Sequence, residues 1–478
     1  MRLRLMYNLG EKNRYCHTGP VSDGFILRRS RYGEWIGVLS RYDMQLSERQ
    51  ALSAIRALGS VEQLKKLAEE GYAPPSPPKV NSHIHLPPNF SAFDSVHQAV
   101  SLANQQGVRV LGASNYYDFS VYEEFAKETR KLAIFPLFGL EIIVRLEELA
   151  AKGVRINDPN NPGRMYICGK GITGFAKPTL RAKELIRTIR QNDDRRMAEM
   201  IGRLSTIFAS CGLQTHLNAD TVIGNVVRRY GCKRQSVTLQ ERHLGQAFQE
   251  VLFEKITSNR RREFLCKLFG VTWQGNPDDA VAIQGEIRSH FLKAGKQAFV
   301  EERFLNFQQA YELILELGGI PCYPILADGA GPFCEYETPV EKLIKTLKEN
   351  NIYMAELIPI RNQQKILSHY VKALRDAGIA VIPGTEHNTL ALLPIEPSCA
   401  GQASVPEDIK RIFVEGAYVV AAHQFLRSHG QQGYVDQQGN LSGAYETSEQ
   451  QISAFAQLGA AVVQRYFCMN SGTGKAKA

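Results

Sequence analysis

Two histidines stand one residue apart at the end of a short apolar stretch that begins at Val80. These are His83 and His85. Alternate residues of a β-strand point to the same face, so both imidazoles can turn toward one point at the end of a strand. Two converging imidazoles are a typical start of a divalent metal site. The plainer alternative is a turn that holds two hydrogen-bonded histidines.

Two more apolar stretches end in a carboxylate, one at Glu141 and one at Glu386. When strands of separate β/α units end at the same face of a barrel, their last side chains converge there. Two imidazoles and two carboxylates suit zinc, manganese or iron. We therefore predict that His83, His85, Glu141 and Glu386 hold one divalent ion.

The elements that must position these residues alternate along the chain. Alternation of strands and helices is typical of parallel β/α architecture, and polar residues at the strand ends favour a barrel. The sequence predicts strands over 80–85, 108–114, 133–142, 320–324, 352–358 and 379–383, and helices over 94–106, 121–131, 307–317, 339–349 and 363–377.

Composition shifts divide the chain into segments. Residues 1–73 form an N-terminal extension, which a stiff proline-rich linker over 74–78 separates from a barrel over 79–430. A helix-rich, basic insertion over 175–305 interrupts the barrel and is expected to cover its mouth. The last segment, 431–478, loses strong patterning and ends in a flexible tail.

The charge of the protein is concentrated in the insertion. The net charge of the 478 residues is +9, and the stretch from Arg181 to Lys296 holds 20 Lys or Arg against 12 Asp or Glu. This imbalance favours a negatively charged substrate or partner. A solvated helical surface would explain it equally well.

Other bulk features indicate a cytoplasmic protein. No apolar run reaches the ~18 residues of a membrane span, and the first residues lack the apolar core of a signal peptide. The nine cysteines are scattered without a CxxC pair, which is typical of reduced thiols and argues against a zinc ribbon.

The motifs resemble those of the PHP (polymerase and histidinol phosphatase) family over roughly residues 79–395. The resemblance implies a distorted (β/α)7 TIM-like barrel, up to three metal ions and hydrolysis of phosphate esters. The segment 241–248 looks like the Arg-Pro-His-Ile-Ala-Arg-Ala-Leu segment in the insertion of the nucleotide-phosphatase branch. The matching motifs are His83-Ile84-His85, 112–116, 138–141, 318–324 and 384–387.

The sequence departs from the family pattern chiefly where the second and third metals would bind. Asn115-Tyr116 replaces Asp-His, Tyr166 falls near another family histidine, and Tyr323 replaces the histidine of a His-Pro pair. The resemblance maps the first metal position onto the four ligands already predicted. It therefore implies one ion, with neutral phenols in place of three histidines.

The remaining candidate residues follow from the same comparison. We predict catalytic roles for His387, Tyr116 and Tyr323, and substrate binding by Arg242, His243, Tyr166 and Asn115. The plainer alternatives are packing for the tyrosines and a surface helix for Arg242 and His243.

The function indicated is a metal-dependent hydrolase, and a phosphoesterase in particular, that uses a metal-activated water on a small anionic substrate. Because the site is reduced to one metal, a mononuclear amidohydrolase-like enzyme or a sugar-acid isomerase is an alternative. A further alternative is a non-catalytic PHP-like module that binds nucleic acid or an acidic partner.

Overall fold

The computed structural model describes residues 51–471, together with the backbone of two strands, β1 (Phe25–Arg29) and β2 (Trp35–Leu39). The chain divides into two compact units, residues 1–49 and 50–478. In the first unit β1 and β2 pair antiparallel. The predicted flexible tail falls largely on residues 472–478, which lie outside the described residues.

The second unit is built on a sheet of seven strands whose spatial order follows the chain. Four neighbouring pairs run parallel, whereas β6 runs antiparallel to the strands on either side of it. The strands are β3 (Lys79–Ile84), β4 (Val108–Ala113), β5 (Phe135–Arg145), β6 (Arg164–Lys170), β7 (Ile320–Ile325), β8 (Met354–Leu357) and β9 (Ala380–Pro383).

The two edge strands of this sheet meet and nearly close it into a barrel. Ile84 forms a parallel bridge with Glu386 just beyond β9. The Glu386 amide donates to the carbonyl of His83 at 2.8 Å, and the His85 amide donates to the carbonyl of Glu386 at the same distance. The residues that close the ring are therefore those of the predicted metal site.

The predicted α/β barrel is confirmed in its broad form, with a difference at β6. The six predicted strands all occur, but β6 was not foreseen as a strand. Because it runs antiparallel on the side of the barrel where the insertion begins, no strand–helix alternation marks it in the sequence. The exact (β/α)7 repeat stays a prediction.

Helices surround the barrel, and those predicted between strands lie within a few residues of their expected ends. Asn306 begins one of them with a reciprocal capping box to Gln309. The α-helices within residues 51–471 are α1 (Ser53–Arg56), α2 (Val61–Glu69), α3 (Val96–Gln105), α4 (Tyr122–Lys131), α5 (Glu147–Ala151), α6 (Leu180–Ser210), α7 (Ala219–Tyr230), α8 (Glu241–Lys255), α9 (Ser258–Phe269), α10 (Ala280–Ile287), α11 (Phe307–Glu316), α12 (Val340–Glu349), α13 (Gln364–Asp376), α14 (Glu407–Ser428) and α15 (Ser448–Asn470).

Helices α6 to α10 form a bundle with an apolar core of its own. Met200, Leu204 and Phe208 of α6 are buried against Phe248 of α8 and Leu265 of α9. The barrel core is a separate cluster. Residues 175–305 thus have their own hydrophobic support, although the domain boundaries proposed from the sequence remain a prediction. None of the helices within 51–471 has the length and apolar character to cross a membrane.

The C-terminal segment contains a long helix where the sequence showed no strong pattern. Helix α15 packs along α14 and also contacts α2. Both long helices bury residues on several faces, so neither shows the apolar stripe of an amphipathic surface helix. The absence of that stripe explains why α15 was not predicted.

The close approach of α14 and α15 depends on Gly459. A Cβ added there would lie 1.9 Å from the carbonyl oxygen of Tyr418. Overpacking of this kind costs ~1–3 kcal/mol, so Gly459→Ala is expected to lower the free energy of unfolding measured in urea.

The matched control is Gly202→Ala in the middle of α6, where the added methyl would meet nothing within 4 Å. In a helix interior, alanine contributes ~1 kcal/mol more to stability than glycine does. This variant is therefore expected to be at least as stable as the wild type. Equal stability of the two variants would contradict the packing argument.

Candidate functional site

Three of the predicted metal ligands lie together at the end of β3 and on β5. Nε2 of His83 is 3.3 Å from Nε2 of His85, which is 3.2 Å from a carboxylate oxygen of Glu141. All three side chains are buried, and their ligand atoms lie within 4.8 Å of one another. This trio can hold a metal ion.

The trio is supported from inside the barrel by a carboxylate that the sequence analysis missed. Glu356 of β8 is fully buried and accepts a hydrogen bond from Nδ1 of His83 at 2.9 Å. Its other oxygen accepts from the ammonium of Lys170 at 3.0 Å. Burial alone would raise the pKa of Glu356, but its interactions with His83 and Lys170 outweigh burial and lower the pKa to about 2.

Lys170, at the end of β6, is the matching buried cation. Burial opposes its charge, but Glu356 outweighs that penalty and raises the pKa of Lys170 above its usual value. Its ammonium also donates to the hydroxyl of Ser114 at 3.2 Å. Glu356 and Lys170 therefore place a buried ion pair behind the trio. Most of the hydrogen-bonding groups of the two side chains are already engaged.

Tyr116 covers the trio on the side of the cavity. Its ring stacks on that of His85, with centroids 5.0 Å apart. Burial raises the pKa of the Tyr116 phenol well above its usual value, and the Glu141 charge raises it further. Burial also opposes the charge of Glu141, but contacts with His85, His83 and Tyr116 outweigh it and lower the pKa of Glu141. Tyr116 is therefore a neutral hydrogen-bond donor beside an ionised carboxylate.

Glu386, the fourth predicted ligand, has its carboxylate engaged elsewhere. Arg361 binds both of its oxygens, with NH1 3.1 Å from Oε1 and NH2 closer still to Oε2. The side-chain amide of Asn388 donates to the same carboxylate at 2.9 Å. The backbone of Glu386 lies beside His83 and His85, but its carboxylate is not part of the trio.

His387 has both ring nitrogens occupied. Nδ1 lies 2.8 Å from the hydroxyl of Thr385, and Nε2 lies 2.9 Å from the carbonyl of Leu393. The ring stacks on Phe93 and does not line the cavity at the barrel mouth. The structure therefore does not bring His387 to the trio in the way that a general base requires.

Two other predicted site residues form hydrogen bonds within the barrel rather than in the cavity. The side chain of Asn115 both donates to and accepts from the backbone of Leu86 at 2.8 Å, which fixes the loop after His85. The hydroxyl of Tyr323 donates to Glu337 at 3.0 Å inside the barrel wall. Neither residue lines the cavity.

A cavity of about 780 Å³ lies between the barrel mouth and the insertion. Glu141 and Tyr116 lie at its barrel end, and Tyr166 lines it with a ring that the Arg164 guanidinium covers at 5.6 Å. The insertion contributes Asp193, Arg196, Glu241, Arg242, Arg288 and Lys293. The trio is thus connected to a chamber large enough for a small substrate.

Arg242 and His243, which are adjacent in α8, face different surroundings. Arg242 lines the cavity, and within residues 51–471 no carboxylate pairs with it. Burial and the neighbouring Arg288 lower the pKa of Arg242 to about 10. Nδ1 of His243 accepts from the amide of Gln240 at 3.0 Å and so caps α8, and burial lowers the pKa of His243 to about 3.

The insertion is tied to the loop that follows the two site histidines. The amide of Phe90 donates to the side chain of Gln240 at 2.7 Å, and the ring of Phe90 packs edge-on against His243. The start of α8 is therefore held against the loop after β3.

Sequence reasoning missed Glu356, Lys170 and Arg361. Glu356 is the one charged residue in the short apolar strand β8, and Lys170 ends β6. The sequence did contain a signal for these two residues, because a charged residue within an apolar strand must be paired when it is buried. Arg361 lies four residues beyond the end of β8, and nothing in its local sequence indicates a partner at residue 386.

Comparisons with known proteins give only distant likenesses. No protein-family model matches the chain, and no curated protein matches it. One similar solved structure is an amidohydrolase from Chromobacterium violaceum with bound sulfate and no metal, at 13% identity and a TM-score of 0.46, covering 70% of this chain and 96% of that one. Another is named as a metal-dependent phosphoesterase from Bifidobacterium adolescentis, at 12% identity and a TM-score of 0.44, covering 72% and 97%. Likenesses this distant do not identify a reaction.

The cavity wall depends on the charge of Glu241. This carboxylate binds Arg196 at 2.7 Å and Lys293 at 2.8 Å. Burial opposes its ionisation, but these cations outweigh it and lower the pKa of Glu241 to about 2 from 4.5. A depressed carboxyl pKa stabilises the fold above the unfolded pKa, and this contribution is lost as the pH falls through the folded pKa.

We therefore expect Glu241→Gln to lower the free energy of unfolding at pH 7 by about 3 kcal/mol. The difference in the free energy of unfolding between variant and wild type, measured by urea unfolding at each pH, should narrow as the pH falls from 4.5 toward 2. Glu254→Gln, an exposed position in the same helix, is the control and should show no such gap. A gap for Glu241→Gln that is independent of pH would contradict the electrostatic account.

Proposed function

We propose that this protein is a metal-dependent hydrolase that acts on a phosphate ester. The observation that carries the proposal is the convergence of His83, His85 and Glu141 at the barrel end of a cavity that also holds guanidinium groups. We further propose that the chain is a divergent, cytoplasmic member of the PHP family with a distorted (β/α)7 barrel.

The spacing of the three ligand atoms suits a single ion. In a tetrahedral zinc site with ~2.0–2.1 Å bonds to nitrogen, two ligand nitrogens lie about 3.3 Å apart. The two Nε2 atoms are 3.3 Å apart, and Nε2 of His85 is 3.2 Å from Glu141. Ring nitrogens that face each other at this distance require a cation or a proton between them.

The surroundings of His83 also favour binding of a cation. Its Nδ1 proton donates to Glu356, which leaves the lone pair of Nε2 directed at the trio. A carboxylate behind a histidine is the common arrangement at protein metal sites, because it fixes both the tautomer and the ring orientation. Two imidazoles and one carboxylate leave a further coordination position open, as hydrolytic zinc sites do.

A divalent ion bound there would polarise the scissile group and lower the pKa of the attacking water. The chain supplies the remaining roles. Tyr116 is a neutral donor beside Glu141. Asp193 lines the cavity, and its burial, together with the charge of Glu302, raises the pKa of Asp193 to about 8. A carboxylic acid that is still protonated at neutral pH suits the delivery of a proton to a leaving group.

The cations of the cavity favour an anionic substrate. Arg242 has no carboxylate partner within residues 51–471, and Nε of Arg288 is buried without a hydrogen bond among those residues. Arg288 lies in a single π-helical turn that continues α10, a distortion frequent at functional sites. Burial lowers the pKa of both guanidinium groups, and the charge of Arg288 lowers that of Arg242 further, so an anion between them would stabilise both charges.

A mononuclear amidohydrolase-like enzyme or a sugar-acid isomerase is the second candidate. It is favoured by the engagement of Glu386 with Arg361, which leaves three side chains for one ion. Three-ligand sites of this composition also hydrolyse amides. A parallel screen of phosphomonoesters, N-acyl amides and sugar acids separates the two candidates.

The metal proposal is tested by His83→Ala. We expect the wild type to bind about one divalent ion per chain by elemental analysis, and the variant to lose both the ion and the hydrolysis of phosphomonoesters, because two ligands do not hold it. Glu141→Gln should weaken binding for the same reason.

His97→Ala is the matched control, since this exposed histidine on α3 lies outside the cavity. It should retain both metal and activity. Wild-type protein without metal after preparation in zinc or manganese would refute the hydrolase and favour the non-catalytic module, whose binding of nucleic acid would then be measured directly.

The role of Arg242 is tested through KM. Arg242→Gln is expected to raise KM for a phosphomonoester about tenfold or more with a smaller effect on kcat, because it removes a charge that binds the anion before and during reaction. Arg195→Gln, an exposed arginine of α6, should leave KM unchanged. A fall in kcat with KM unchanged would contradict a binding role.

A further inference from the structure

We infer that Arg361 is a resident cation of the site that binds the anionic group of the substrate beside the trio. The inference rests on the proposed function and assigns a residue that the resemblance to known motifs does not. Three observations support it: the two hydrogen bonds from Arg361 to Glu386, the N–H groups of Arg361 that remain unbonded within residues 51–471, and the engagement of the Glu386 carboxylate away from the trio.

The guanidinium of Arg361 is fixed from one side only. Both oxygens of Glu386 receive one of its N–H groups each, which is the two-pronged geometry that orients arginine best. A guanidinium has five N–H donors. Within residues 51–471 no other acceptor takes the remaining three.

Arg361 lines the cavity together with Glu386, Glu141 and Tyr116. Its side chain is 37% accessible, so the unbonded donors can reach a ligand. The charge of Glu386 raises the pKa of Arg361, and Glu141, which lines the same cavity, adds to this effect. An anion beside the trio would therefore meet a positioned guanidinium.

The same contact explains why Glu386 stands apart from the trio. Its backbone is hydrogen-bonded to His83 and His85, so the residue occupies the right place on the barrel rim. Its carboxylate is nevertheless turned to Arg361 and Asn388. A carboxylate that is neutralised by an arginine has little affinity left for the metal ion, and the arginine adds a positive charge beside the trio.

The test measures binding of inorganic phosphate to the metal-loaded full-length protein by calorimetry, with metal content determined on the same samples. Arg361→Gln is expected to keep about one ion per chain and to bind phosphate at least about tenfold more weakly. Arg361→Lys keeps the charge but loses the two-pronged geometry, so its affinity for phosphate should lie between those of the wild type and Arg361→Gln. This variant replaces Arg361→Gln in the test if the glutamine variant does not fold.

The control is Arg375→Gln, which breaks a similar two-pronged pair, with Glu415, away from the cavity. It should bind phosphate as the wild type does. Unchanged phosphate affinity in Arg361→Gln and Arg361→Lys, with metal retained, would overturn the inference. Loss of the metal in those variants would also overturn it, since Arg361 would then support the trio itself.

The experiments distinguish the phosphoesterase activity from the role of Arg361. A wild-type protein that binds no metal or no phosphate refutes the phosphoesterase. A wild-type protein that binds both, with variants at 361 that bind phosphate equally well, refutes only the role of Arg361.

Discussion

The buried hydrogen bond between His83 and Glu356 is the contact on which the arrangement of the site depends. A carboxylate in the middle of a barrel is costly unless it is paired, and Glu356 is paired twice, with His83 and with Lys170. The pairing removes the rotational freedom of His83. Its second nitrogen is then directed at His85 and Glu141, whatever else surrounds the cavity. The trio therefore owes its geometry to charges that never reach the solvent.

The barrel and the insertion contribute different physical properties. The barrel provides rigid positions, because its strands are hydrogen-bonded on both sides and its interior is filled. The insertion provides positive charge, held in place by Glu241 and its cationic neighbours. The contact between Phe90 and Gln240 joins the two parts next to the site histidines. Substrate would bind between Glu141 at the barrel end of the cavity and the guanidinium groups of Arg242 and Arg288 in the insertion.

The sequence was most informative where backbone geometry alone determines position. Strand ends converge in any barrel, so His83, His85 and Glu141 could be placed together from their spacing in apolar stretches. The orientation of a side chain is decided by its hydrogen-bond partners, and the pattern of apolar stretches does not reveal these. Glu386 turns to Arg361, His387 to Leu393 and Tyr323 to Glu337, although each lies on or just beyond the strand to which the motif assigns it. Strand β6 and helix α15 were missed because neither shows a regular apolar period.

The closure of the ring has a consequence for how this protein is made. The first strand of the barrel meets the last through contacts such as that between Asn81 and Thr385, which are 304 residues apart. Contacts of such long range form late and slow folding. During synthesis one edge of the histidine-bearing strand therefore stays unpaired until β9 has left the ribosome. Any nascent chain that stops short of β9 would expose that edge to chaperones and proteases.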